Sequence, residues 1–291
     1  MKPLLPAFLI ATTLPALALA QDQAMQTIKI TDNIHMLSGN GGNVGVLTGA
    51  DGTFVIDDQM ATEVPKILNA IKELDASAPR FLLNTHYHFD HAGGNEAIVD
   101  TGAAIFSHDN VRKRLKDGTT IPAFGATTPP APYAALPVVT FSDEMHFHLN
   151  GQTVLANHYP NAHTDGDSVV FFKEANVVHT GDIFFNGLYP FIDTANGGSL
   201  AGVMSAVQAI LDATNDDVKI IPGHGPLATR VDLQAYQDML SIAHASMLDM
   251  KKAGKTKKEV VAAKPLADFD ATWGGKLFET DQWIGLLYPS I

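Results

Sequence analysis

Six consecutive residues, His86-Tyr87-His88-Phe89-Asp90-His91, constrain this chain more than any other stretch. Lying between Phe81-Leu82-Leu83 and Ala92-Gly93-Gly94-Asn95, they read as a strand running out into a tight, glycine-bearing loop. In an extended segment His86, His88 and Asp90 point to one side, with His91 turned toward a neighbouring position. Ionisable groups packed this closely are costly without a cation. The four groups in six residues suffice to serve two adjacent metal ions, and the fold must then deliver strand ends to a common cleft.

Three later positions have the same setting, a predicted strand meeting a glycine turn. They are His163 in Asn161-Ala162-His163-Thr164-Asp165-Gly166-Asp167, Asp182 in His179-Thr180-Gly181-Asp182, and His224 in Pro222-Gly223-His224-Gly225. Such turns let rigid elements present side chains to a cleft. His179 reads as a core residue or a partner to a ligand. His146 and His148 are also two apart, but no nearby carboxylate or glycine turn supports a site, and surface pairing across strands accounts for them.

The entry, residues 26–57, reads as four short strands separated by turns at Thr31-Asp32-Asn33, Gly39-Asn40-Gly41-Gly42-Asn43 and Gly49-Ala50-Asp51-Gly52. The loop from Gly39 to Asn43 either lines a site or is a plain wide turn. From Thr62 to Leu74, Val64, Ile67, Leu68, Ile71 and Leu74 share one helical face, with Thr62 as N-cap. A strand at 81–85, a short helix near 95–100, a strand from Ala103 and a helix over Val111 to Lys116 follow. Residues 118–137 carry five prolines and read as too irregular for regular structure: a substrate-facing loop or a surface connection.

Strands are expected at 138–141, 144–149, 152–157, 168–172 and 176–180. Ser199 N-caps a helix carrying Leu200, Val203, Met204, Val207, Ile210 and Leu211 on one face, and Val218 to Ile221 forms a strand. A longer helix from Asp232 places Leu233, Tyr236, Leu240, Ala243, Met247 and Met250 at helical spacing, and Lys251 to Lys258 marks its solvated end. Strands followed by helices occur twice without a linker, which fits one domain of two packed sheets flanked by helices over 21–291.

Residues 1–20 are set apart. Lys2, the apolar Leu4 to Leu19 and Ala18-Leu19-Ala20 have the pattern of a secretory signal peptide cleaved after Ala20, giving an exported, periplasmic or secreted protein without stable membrane insertion. The absence of cysteine removes disulfides, thiolate nucleophiles and Cys-ligated zinc, so any metal is held by His and carboxylate. A formal net charge of -12 disfavours a nucleic-acid partner and leaves a small-molecule substrate as the expected one.

In motif order the chain resembles the metallo-β-lactamase superfamily, with His-x-His-x-Asp-His followed by a His, an Asp and a final His. The resemblance implies an α/β fold, an αββα sandwich of two mixed β-sheets flanked by helices, with the site at one edge. It implies two Zn2+, one held by His86, His88 and His163, the other by Asp90, His91 and His224, with Asp182 bridging. Iron or manganese also suits such N/O ligands. The implied reaction is attack of a metal-bridging hydroxide on a carbonyl substrate, with Asp90 orienting the hydroxide and acting in proton transfer.

Export and resemblance favour β-lactam hydrolysis. The pattern departs from the best-known metallo-β-lactamases, which carry a cysteine in place of Asp182 and a lysine in place of Phe185. The all His/Asp set is instead similar to the glyoxalase II and lactonase branches, making lactone or thioester hydrolysis the alternative. Those branches are usually cytoplasmic, and the sequence shows no basic patch for a glutathione thioester. His88 stands where the oxygen-reducing diiron branch has a glutamate, which argues against redox chemistry. A non-catalytic zinc-binding protein is the reading from another class. In the aromatic stretch 184–198, Asn186, Tyr189 and Phe191 either wall a substrate pocket or simply pack.

Overall fold

Alternation with a period of two decides the architecture. In the strands Val44–Leu47 and Thr53–Ile56, Val44, Val46 and Val55 turn one way, and Leu47, Phe54 and Ile56 the other. Every residue of both strands is buried, as happens when a sheet is covered on both faces. The computed structural model describes residues 24–291, so the leader expected at 1–20 lies outside the described residues.

The first sheet has seven strands in the order Gln26–Lys29, Ile34–Ser38, Val44–Leu47, Thr53–Ile56, Pro79–Asn84, Ala104–His108 and Val139–Phe141. It is mixed: the first four strands pair antiparallel, and the rest run parallel after Thr53–Ile56. The second, of six strands, runs Glu144–Leu149, Gln152–His158, Ser168–Phe172, Val177–His179, Lys219–Ile221 and Ala228–Thr229, with one parallel pair at Val177–His179 and Lys219–Ile221.

Between the sheets, Ile34, Met36, Phe54, Ile56 and Leu83 meet Val154, Val170, Phe172 and Ile221. Truncating a ring such as Phe172 to alanine there removes about 3–5 kcal/mol, the typical loss for a buried aromatic. The outer face of the first sheet packs on the helix Val64–Glu73 through Val64, Ile67 and Ile71. The outer face of the second packs on Leu200–Ala213 and Arg230–Lys252. This is the αββα sandwich.

Four local expectations are corrected. The strand ends at Asn84, the chain bends at 85–86, and Phe89–Ala92 is a turn of helix, so the histidine motif is not one extended run. Residues 118–137 contain a hairpin, Thr119–Ile121 paired with Ala126–Thr128, because β-branched Thr and Ile flank a left-handed Gly125 that closes the tip. The first helix is preceded by Glu63, and no side chain caps it, so Thr62 does not serve as N-cap. The long helix begins at Arg230 under a capping box of Thr229 and Asp232.

Ser199 does cap its helix, accepting from Gly202 N at 3.0 Å. Beyond Lys252 the chain does not trail into solvent. It forms the helices Lys257–Ala263, Asp270–Trp273 and Thr280–Leu287, whose Val260, Trp273, Trp283 and Ile284 join the core beneath the second sheet. No helix among the described residues is long and apolar enough to cross a membrane.

Candidate metal centre

The change of conformation inside the motif sorts its side chains. His86 lies in the bend just after the strand Pro79–Asn84 and His88 is extended (φ -60°, ψ 148°) at the start of the helical turn, while Asp90 and His91 project from the helix itself. The result is two clusters rather than one row. His86, His88, His163 and Asp182 form the first, and Asp90, His91 and His224 the second, with potential ligand atoms in each within 4.8 Å of one another. The expectation that Asp90 shares a side with His86 and His88 is corrected by that helical turn.

His163 Nε2 lies 2.9 Å from His88 Nδ1 in the first cluster. In the second, His224 Nε2 is 3.3 Å from both His91 Nε2 and Asp90 Oδ2. Asp182 stands between them with its oxygens divided. Oδ1 is 3.0 Å from His91 Nε2 and 3.4 Å from His224 Nε2, whereas Oδ2 is 3.5 Å from His163 Nε2 and 3.8 Å from His86 Nε2.

The other nitrogen of each of four rings is engaged away from the centre. His91 Nδ1 meets Asp57 Oδ2 at 2.8 Å, His88 Nε2 meets Asp193 Oδ2 at 3.1 Å, His163 Nδ1 meets Phe191 O at 2.8 Å, and His86 Nδ1 meets Thr85 Oγ1 at 3.1 Å. Such partners fix ring orientation and tautomer. Asp57 is itself held by Thr85, whose backbone N and Oγ1 each donate to it at 2.7 Å. Asp193 also accepts from the Tyr87 hydroxyl at 2.6 Å and from Asn196 Nδ2 at 2.8 Å. Asn196 in turn is gripped by Arg114, which pairs bidentately with Asp165 at 2.8 and 2.7 Å.

Close approach explains two glycines. A Cβ on Gly42 would lie 2.1 Å from His91 Cε1, and one on Gly223 would lie 2.0 Å from Asp182 Oδ1.

Electrostatics differ between the clusters. Burial holds the His163 pKa down to about 4 and that of His86 well below its usual range, so both rings are neutral in the metal-free protein. Burial also opposes charge on His224 and His91, but the carboxylate of Asp182 leads the groups that outweigh it. It raises His224 to about 9 and His91 well above the histidine range. Burial pushes Asp90 upward, but the charge of His91 and the hydrogen bond from His224 prevail and bring it to about 2.

The fit to a metal is tested by His86 Nε2. It is buried in the first cluster and has no hydrogen-bond partner, although it is directed at the same point as His163, His88 and Asp182. A buried nitrogen left unpaired in this way is costly unless a cation takes it. Imidazoles and carboxylates also form a donor set suited to zinc and similar dications. The His/Asp clusters therefore fit a metal site.

All seven proposed ligand residues come together, and the three pocket candidates separate. Phe191 lines the cleft above the clusters. Tyr189 does not: fully buried, it stacks on Trp283 at 4.5 Å, and its backbone N donates to Trp273 O at 3.0 Å, which holds it against the C-terminal helices. Asn186 is tied back by its side chain to Pro226 O at 3.0 Å and does not reach the cleft. His179 is a core residue, donating from Nε2 to Asn43 O at 3.1 Å and accepting from Gly181 N. His146 and His148 stack with each other along one exposed strand face.

The orienting acids Asp57 and Asp193 were missing from the sequence reading. Asp57 had one usable signal, an acidic residue directly after the apolar strand Thr53–Ile56.

A family model described as the metallo-beta-lactamase superfamily matches residues 37–224. The chain belongs to this superfamily of metal-dependent hydrolases. Among its relatives, a hydroxyacylglutathione hydrolase from Haemophilus influenzae is 31% identical over 171 residues, covering 57% of this chain and 78% of the relative. An acyl-coenzyme A thioesterase from Gallus gallus is 26% identical over 210 residues, covering 64% of this chain and 73% of the relative. The fold is shared with a metallo-beta-lactamase from Pontibacter korlensis, with a TM-score of 0.60 and 19% identity over 75% of this chain and 99% of that one.

Proposed function

We propose that the protein is an exported hydrolase that uses a pair of zinc ions to cleave acyl thioesters. The observation that carries this reading is the double His/Asp cluster with one Asp182 oxygen turned to each half. His86, His88 and His163 would hold one zinc, Asp90, His91 and His224 the other, and Asp182 would touch both. When bound, such a pair supplies a water acidified to near neutral pH and a Lewis acid for the carbonyl.

The chain's own part is orientation and proton handling. Asp90 Oδ2 faces His224 and His91, which leaves Oδ1 to orient the attacking water and receive its proton. His88, Asp90, Asp182 and His224 open onto a cleft, so the substrate carbonyl has a direct approach. No serine or cysteine nucleophile is needed.

Thioesters are preferred over β-lactams because the relatives at 31% and 26% identity are named as a hydroxyacylglutathione hydrolase and a thioesterase. The likeness to a β-lactamase, at 19% identity, speaks to fold alone. β-Lactam hydrolysis, which export favours, is the second reading. The test is zinc-loaded protein lacking residues 1–20, assayed side by side on an acyl thioester, an acyl lactone, a chromogenic cephalosporin and a phosphodiester. The expected result is the highest kcat/KM on the thioester; a cephalosporin turned over best would replace this reading with the second. Export is tested separately by N-terminal sequencing of the secreted protein, expected to begin at Gln21.

A further inference from the structure

Two cavities meet at His224, and they differ in chemistry. The first, of about 660 Å3, rises from His88, Asp90 and Asp182 and is walled by Ile121, Phe124, Phe185, Leu188, Phe191 and Leu277. Among the described residues its one lysine or arginine is Lys276, whose ammonium sits at the rim and donates to the carbonyl oxygens of Gly187 at 2.6 Å and Thr272 at 3.3 Å. The second, of about 620 Å3, shares Leu188 and His224 but is more mixed, bordered by Gln26, Ser38 and Asn43 as well as Met36 and Leu227, with no lysine or arginine among its described walls.

The first cavity also keeps apolar surface exposed. Phe89, Phe124 and Leu277, exposed by 44%, 48% and 41%, all line it. Large apolar groups gathered at a cleft mouth mark a binding surface, since each would gain by losing contact with water. Phe124 sits in the closing turn of the hairpin Thr119–Thr128. It contacts Phe191 with ring centres 4.7 Å apart and stacks on Phe278 at 6.0 Å and 11°, so three separate chain segments meet around its ring.

Resting on the thioester reading above, we propose that the first cavity is an acyl pocket for bulky hydrocarbon or aryl acyl groups, that Phe124 sets this specificity, and that the polar cavity beyond His224 takes the leaving group. A carrier with several negative charges is disfavoured, because the described walls of the two cavities hold one lysine, Lys276, on the acyl side, and no lysine or arginine on the leaving-group side. The preferred leaving thiol is therefore polar and neutral or singly charged. Hydrolysis divides the substrate at the His224 boundary: water adds to the carbonyl, the C–S bond breaks, the carboxylate product stays in the apolar cavity and the thiol leaves through the polar one.

The experiment uses zinc-loaded protein and one neutral thiol carrier, N-acetylcysteamine, with acetyl, butyryl, hexanoyl and octanoyl groups. Each buried methylene is expected to raise kcat/KM about fourfold until the pocket is filled. Phe124→Ala should lower the octanoyl-to-acetyl ratio about tenfold, and Leu277→Asp, at the exposed rim, should lower it in the same direction. Tyr133→Ser, an exposed ring outside the cavity, should leave the ratio unchanged. Binding is read independently of turnover, by calorimetry with octanamide against acetamide.

A flat chain-length profile, or octanamide binding no tighter than acetamide, would overturn the acyl pocket. If octanamide binds in a Phe124-dependent way but no thioester is cleaved, the thioester reading fails and the pocket stands.

Discussion

Asp57 holds His91 from behind, with Oδ2 at 2.8 Å from Nδ1, and both side chains are fully buried. That contact turns His91 Nε2 toward Asp182 and His224. Three donors converge on Asp57, from His91 and from Thr85 N and Oγ1, so an amide in its place leaves donors facing an NH2 group. Asp57→Asn is expected to weaken the second metal about 10- to 100-fold, the usual loss when a ligand's partner is removed, and to affect the first less, since it reaches His86 only through Thr85. Competition titration with a zinc chelator checks this; equal weakening of both metals would contradict the division into two clusters.

Asp182 predicts the opposite pattern. Because its oxygens face both clusters, Asp182→Ala should reduce both metals together, with turnover falling alongside. Metal content by mass spectrometry after dialysis reads the outcome. Loss of one equivalent alone would show that the carboxylate serves a single metal.

Gly223 is a test of close packing rather than of chemistry. A methyl group 2.0 Å from Asp182 Oδ1 must displace the carboxylate or the turn, so Gly223→Ala should cost metal affinity although the alanine adds no charge. The expected destabilisation of about 1–3 kcal/mol is measured by urea unfolding of the metal-free protein. A variant with unchanged stability and metal content would mean that the turn relaxes freely.

Proton release should distinguish the clusters. His224, at about 9, is protonated in the metal-free protein at neutral pH, so a dication entering the second cluster must expel that proton. Affinity there should fall as pH falls below 9, by up to about tenfold per unit for each proton displaced. His163, held near 4 by burial, and His86, pushed down by burial, are already neutral there and have no proton for an entering dication to expel between pH 5 and 8. Zinc titrations across that range, with proton release followed by an indicator dye, give the comparison.

The legible part of this molecule was what repeats locally. Helical faces, strand alternation and the glycine turns beside His163, Asp182 and His224 are local patterns, and they carried the sandwich and all seven cluster residues. Tertiary partnership is different: Asp193 meets His88 from 105 residues away, and no spacing rule announces it. The helical turn at Phe89–Ala92 is too short for periodicity to register, yet it decides which cluster Asp90 joins. Prolines hid the hairpin at 119–128 by suggesting irregularity around two short runs of β-formers. Tyr189 stayed open between pocket and packing because an aromatic loop beside a site looks the same in sequence whether its rings face the cleft or the core.

The site draws His86, His88, Asp90 and His91 from the chain after the first sheet's Pro79–Asn84, and His163, Asp182 and His224 from the second sheet's connections. Neither half alone offers a complete set to either cluster. Metal occupancy would thus act as a proofreader of tertiary assembly: a chain whose sheets have not docked would capture metal poorly, and a docked chain would be held by mass action as free metal rises. Metal supply would then govern how long each molecule survives proteolysis, as well as how fast it turns over substrate.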